Sequence, residues 1–215
     1  MRAYGGGRFF AIGTLRLGIF GGTFDPPHVG HLLVAIDAYE ALSLDRLLVI
    51  PAAAQPLKGG DPAVAGAEHR LEMVRLAFGG DPRFEVNETE IGRPGLSYTV
   101  DTLEELASQR SGDELVLILG RDAIARFDRW RRPERILQLA RLAVLERTGI
   151  EGSQAAEKDS YEGVIERTGA TMVTTRRVDV SATEIRRRVR DGLSVRGFVA
   201  ESVERYISTE KLYMA

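Results

Sequence analysis

The stretch Leu15–Leu32, LRLGIFGGTFDPPHVGHL, decides the fold. An apolar run from Leu15 to Phe20 ends in Gly21-Gly22-Thr23, Asp25-Pro26-Pro27 turns the chain, and His28-Val29-Gly30-His31 opens a second apolar segment. A strand, a glycine turn and a helix start in that order build an anion site, because the first amides of a helix have no partner within it and carry a partial positive charge. Gly21 and Gly22 have no side chain, so their amides can approach an anion closely. His28 and His31 are three apart, which places both rings on one face of a helix start, each with an N–H to offer a phosphate oxygen.

Outward from this stretch, apolar β-branched runs alternate with helical patterns. Strands are expected at Leu15–Phe20, Asp45–Ile50, Arg83–Asn87, Glu114–Leu119, Leu142–Leu145 and Thr171–Thr174. Helices are expected at Val29–Leu42, Ala67–Phe78, Ser97–Gln109 with Ser97 as N-cap, Asp122–Phe127, Pro133–Leu139, Ser181–Arg190 and Val199–Ile207. The polar segment Glu151–Thr168 reads as a loop and a helix, and Pro51–Gly66 as a loop. This alternation predicts an α/β fold, a doubly wound parallel sheet with a small helical C-terminal part. Ligands of such sheets bind beyond the carboxyl ends of the strands, where the glycine turn lies. Residues 15–215 read as a single domain and residues 1–14, rich in glycine, as a flexible tail.

Composition narrows the partners. The chain has 215 residues, 44% of them hydrophobic, with 29 Lys+Arg against 31 Asp+Glu. A near-neutral balance argues against a general nucleic-acid or membrane-surface binder, so any anion site is local. With no cysteine and only three histidines, thiolate and multi-histidine metal sites are not expected. No apolar run approaches the roughly 20 residues of a membrane span, and the leader's apolar patch is too short for a secretory signal. A cytoplasmic enzyme is the expectation; oligomeric state is not legible.

A second constellation is Val178–Arg186, VDVSATEIR. Ser181 and Glu184 have the spacing of a capping box, Thr183 adds a hydroxyl and Arg186 a fixed cation, a combination suited to a triphosphate.

The first stretch resembles the H-x-G-H signature of the nucleotidyltransferase superfamily, and GGTFDPPHVGHL is most similar to bacterial nicotinate mononucleotide adenylyltransferases. The second resembles that family's I-S-S-T-x-I-R motif, with Val180 for Ile and Ala182 for the second Ser. Pro51–Lys58 resembles its P-x-x-x-x-P-x-K loop. Leu96–Leu103, LSYTVDTL, resembles its S-Y-T-x-D-T-L segment, and Gly120–Trp130 its G-x-D segment ending in Trp. The resemblance spans about Leu15 to Tyr213 and implies a Rossmann-like nucleotidyltransferase. It implies AMP transfer from ATP to nicotinate mononucleotide, giving nicotinate adenine dinucleotide and pyrophosphate in NAD biosynthesis.

It further implies His28, His31, Lys58 and Arg186 around the reacting phosphates. Gly21, Gly22, Thr23, Phe24, Gly120, Asp122, Ser181 and Thr183 would join them in binding ATP. Thr99, Tyr98 and Trp130 would serve the second substrate, with Trp130 stacked on its pyridine ring. The basic residues Arg129, Arg131 and Arg132 would attract that substrate's anionic groups. Mg²⁺ is expected to be held mainly by ATP phosphates and water. Arg70 is expected to form a structural ion pair, and His69 to be exposed. Adenylyltransferases for the amidated mononucleotide or for phosphopantetheine, and a non-catalytic nucleotide sensor, are the alternatives. The SYTVDTL and Trp130 segments disfavour phosphopantetheine, and intact His28, His31 and Arg186 disfavour a sensor.

Overall fold

The computed structural model of the protein describes residues 14–54, 64–147 and 155–214. Most of the expected tail, and Lys58, lie outside the described residues. Strands β1 (Arg16–Gly22), β2 (Arg46–Pro51), β3 (Phe84–Val86), β4 (Glu114–Gly120), β5 (Arg141–Arg147) and β6 (Thr171–Thr175) form a parallel sheet. Their order is β3-β2-β1-β4-β5-β6. The chain winds outward from β1 in one direction, returns through β4 and winds outward in the other. The reversal lies between β1 and β4, the place where open α/β sheets bind ligands.

Each strand alternates its side chains between two faces, and two apolar clusters follow from that period. On one face, Phe20, Leu47, Val49, Val116 and Ile118 meet α1 (Val29–Ala41) and α2 (Ala67–Phe78) through Ala35, Ala38, Val74 and Phe78. On the other, Leu17, Ile19, Leu48, Ile50, Leu117 and Val144 meet α3 (Thr99–Gln109), α4 (Arg121–Ile124), α5 (Pro133–Leu139) and α6 (Ala155–Thr168). These sheet faces are continuous hydrophobic runs because both are covered. A third cluster joins α2 to α7 (Ala182–Arg190) and α8 (Glu201–Thr209) through Met73, Ile185, Val203 and Ile207. This is the expected helical C-terminal part, docked against α2.

Three local expectations change. Ser97 does not cap α3; the capping position is Tyr98, and Ser97 Oγ instead accepts the Ala53 N–H at 3.0 Å. His69 is half-buried, its Nδ1 2.9 Å from the Tyr206 hydroxyl, which ties α2 to α8. Arg70 is structural as expected, but its bonds are not an ion pair: it is 1% exposed and donates to the carbonyls of Thr23, Ala52, Ala53 and Ala65.

Candidate active site

The turn after β1 is built from inside. Phe24 takes a left-handed backbone (φ 49°) and buries its ring against Phe20, Phe78 and His31. That ring runs back beneath Gly22, where a Cβ would sit 2.9 Å from it, so Gly22 is required for packing. Phe24 is thus a core side chain, and only its backbone is available to a nucleotide. Gly21 faces open space, its nearest neighbour being the Ile50 carbonyl at 4.0 Å from an added Cβ.

His28 stands in extended backbone at the N-cap of α1, and His31 in its first turn. Their rings stack at 3.8 Å between centroids. Gly30 permits this, since a Cβ there would lie 3.0 Å from the His28 ring. The His28 N–H donates to His31 Nδ1 at 3.2 Å. An accepting Nδ1 carries no proton, so Nε2 is the donor that the neutral His31 ring offers.

Arg186 comes from α7, whose start is capped by Ser181 Oγ accepting the Glu184 N–H at 3.2 Å. The guanidinium donates to the Asp25 carbonyl at 2.8 Å and to Thr183 Oγ1 at 3.2 Å. It therefore grips the same turn that carries His28 and His31. Arg187 points elsewhere and pairs with Asp191. Asp25 is 4% exposed. Its carboxylate accepts the N–H groups of Val64 and Ala65 at 2.7 and 3.2 Å and the Tyr213 hydroxyl at 2.7 Å. Burial, then the bond to Asp25, hold the Tyr213 phenol far above its usual range, so it stays a donor. Sequence reasoning missed Asp25 and Tyr213 as site supports.

Beside this turn a cavity of about 670 Å³ opens across the ends of β1 and β4. Gly21, Gly22, Tyr98, Thr99, Gly120, Asp122 and Trp130 all line it. Residues expected at the nucleotide (Gly120, Asp122) and at the second substrate (Tyr98, Thr99, Trp130) therefore share one cavity. Thr99 is the first residue of α3, and Arg131 stacks over the Tyr98 ring at 4.6 Å while pairing with Asp101 at 3.5 Å. Arg132 is paired with Glu104 at 2.9 Å, so its charge serves the α3–α5 contact; Arg126 and Arg129 line the cavity. Glu90, which the sequence did not single out, lines it too, accepting the Thr102 hydroxyl at 2.9 Å. Burial raises the Glu90 carboxyl, against the lowering effect of the Thr102 and Ser97 hydroxyls and Arg93.

Among the described residues no three carboxylate or imidazole side chains gather to hold a metal ion, and Asp25, within the turn, has both oxygens occupied. The described side chains do not fit a magnesium ion caged by protein. Among the described residues no helix is long and apolar enough to cross a membrane.

Comparison with known proteins adds the family. Residues 19–188 match the model described as "Cytidylyltransferase-like". A "Probable nicotinate-nucleotide adenylyltransferase" of Gemmatimonas aurantiaca is 50% identical over 93% of this chain and 92% of its own length. A protein of the same name from Thermus thermophilus is 43% identical over 93% of this chain and 100% of its own. The fold matches that of Plasmodium falciparum nicotinic acid mononucleotide adenylyltransferase complexed with NaAD, with a TM-score of 0.70 at 15% identity, covering 93% of this chain and 97% of that one. With the histidine pair, the arginine-gripped turn and the cavity at the sheet's reversal, these relationships identify the chain as a member of the cytidylyltransferase-like family and, within it, of the nicotinate-nucleotide adenylyltransferases.

Proposed function

We propose that the protein transfers AMP from ATP to nicotinate mononucleotide, releasing pyrophosphate. The observation that carries this reading is the meeting, at the ends of β1 and β4, of the Gly21-Gly22 turn that leads to His28 and His31 with a cavity walled by Trp130 and the start of α3. The first suits a triphosphate and the second a flat ring bearing an anion.

In the reaction a 5′-phosphate oxygen of the mononucleotide attacks the α-phosphorus of ATP, and the bond to the bridging oxygen of pyrophosphate breaks. The attacking phosphate is already ionised at neutral pH, so the protein supplies position and charge stabilisation. His28, His31 Nε2 and Arg186 donate to the phosphates, with the amides of Gly21–Thr23 and of the α7 start, beside Ser181 and Thr183. Lys58 is a further cation for the same group. Gly120 and Asp122 serve the nucleotide ribose. Trp130 stacks on the pyridinium ring, an interaction of about 0.5–2 kcal/mol, and the α3 start with Thr99 donates to the ring carboxylate. Magnesium, counted with the ATP substrate, would offset charge on the triphosphate, and the described side chains form no cage for it. The setting is the cytoplasm.

Pyrophosphate release with ATP and each mononucleotide tests the reading. Nicotinate mononucleotide is expected to give a specificity constant at least about tenfold above nicotinamide mononucleotide, because the amide NH₂ would face donors without a partner, at a cost of about 1–3 kcal/mol. Equal constants, or a preference for the amide, would overturn the substrate assignment while leaving adenylyl transfer intact. Binding without release would mark a sensor.

A further inference from the structure

We propose that Arg70 and Ser97 are paired positioning residues that clamp the backbone Ala52–Ala54 from opposite sides, and so hold the nucleotide turn and the acceptor helix in register. The segment follows β2 directly. Its first residue is tied to the β1 end by the Ala52 N–H donating to the Gly22 carbonyl at 2.9 Å. From the α2 side, Arg70 donates to the Ala52 carbonyl at 2.6 Å, the Ala53 carbonyl at 3.0 Å and the Thr23 carbonyl at 2.8 Å. One guanidinium therefore spans the phosphate-binding turn and the segment. From the α3 side, Ser97 Oγ accepts the Ala53 N–H at 3.0 Å, and the Ser97 N–H donates to the Ala54 carbonyl at 2.8 Å. Ser97 stands two residues before Thr99, where α3 begins.

Ala53 is thus held at its carbonyl by one residue and at its N–H by the other. The cavity touches this assembly at Gly22, Ala52, Ser97 and Thr99, whereas Arg70 lies behind it, 1% exposed. Only a planar cation with several donors can meet four carbonyls that converge from different directions. Arg70 joins the turn after β1 to Ala52–Ala53, and Ser97 joins the same segment to the start of α3, so the two regions read as carrying the two substrates are linked through both residues together. Burial pushes the Arg70 guanidinium below its ordinary value, an effect the Asp25 carboxylate opposes.

The inference rests on the reading that one cavity holds both ATP and a phosphorylated acceptor. Its test is a double-mutant cycle of Arg70→Lys and Ser97→Ala, with Val203→Ala in α8, an apolar side chain that makes none of these hydrogen bonds, as a destabilised control. Turnover and affinity for an ATP analogue with a carbon α–β bridge are measured well below each variant's Tm. Each clamp variant is expected to lose about 10- to 100-fold in kcat, the scale of misalignment of about an ångström between reacting groups. Analogue affinity should stay within about threefold, Val203→Ala should keep the parent kcat, and the double variant should be no slower than the worse single one, as for residues acting as a unit. A kcat within twofold of the parent in either clamp variant, losses that multiply independently, or an equal loss in Val203→Ala would overturn the clamp. If the parent releases no pyrophosphate with any phosphorylated acceptor, the reading of the cavity falls, and the clamp with it.

Discussion

His31 serves two ends of one turn. Through Nδ1 it accepts the His28 N–H and so caps α1; in the proposed reaction Nε2 is the donor to a phosphate oxygen. His31→Ala is therefore expected to do two separable things. Loss of a donor that strengthens in the transition state should lower kcat about 10²- to 10³-fold. Loss of the cap should cost about 1 kcal/mol of stability, a fall of about 2–4 °C in Tm for a chain of this size. Steady-state kinetics and a thermal melt read the two separately, and near-normal turnover would remove His31 from the mechanism. Arg186 and Arg187 make a matched comparison of neighbours. The first grips the Asp25 carbonyl and the second pairs with Asp191. Arg186→Ala should raise the KM for ATP and lower kcat, while Arg187→Ala should leave both within about twofold, as is usual for an exposed charge pair. Similar losses in both would mean that the general field, and not a specific contact, governs ATP handling.

At the scale of elements, much was legible because period and punctuation are local. Strand runs such as ELVLIL and RLLVI reappear as β4 and β2 with ends moved by a residue or two, and Ser181 caps α7 as its spacing to Glu184 implied. The cap of α3 was misread for a physical reason. Ser97 has a hydroxyl at the right place for a local cap, but the Ala53 N–H, 44 positions away, takes it. Asp25 and Glu90 escaped notice, and Arg70 was assigned the wrong partners, because a buried polar side chain is explained by its partners, and those partners come from distant segments. The Asp37–Arg176 contact is another such bond, fixing α1 to the chain after β6. Arg176 donates to the Asp37 carboxylate through its side chain at 2.6 and 2.9 Å and through its backbone at 2.9 Å. Burial disfavours the Asp37 charge, yet these bonds outweigh it and hold the carboxyl below its ordinary value. Its contribution to stability is thus complete above the unfolded-state carboxyl pKa and is lost as pH falls through the lower folded-state value. Thermal melts of the parent and Asp37→Asn should differ at neutral pH and converge on acidification; a gap independent of pH would show that the charge on Asp37 is not what holds α1.

At the scale of the whole molecule, the chain closes on itself through Tyr213, 188 positions from Asp25. The third apolar cluster brings α8 against α2, and the residues after α8 then reach the turn that follows β1. Tyr213→Phe would leave a buried carboxylate oxygen one donor short, at a cost of about 1–3 kcal/mol, or a Tm lower by several degrees at about 2–4 °C per kcal/mol. Because Asp25 sits within the turn that Arg186 grips, the KM for ATP should rise as well. A melt and an ATP titration of that variant check both; an unchanged Tm would mean that water replaces the phenol without loss.

Trp130 has a consequence of another kind. It is the sole tryptophan of the chain, and it lines the cavity. Indole emission from this protein therefore comes from a single place. A pyridinium ring laid against that indole would accept its excited electron and darken it, so the molecule carries a built-in optical gauge. Titrating nicotinate mononucleotide against this light would count filled cavities directly, with no label, no coupled assay and no turnover.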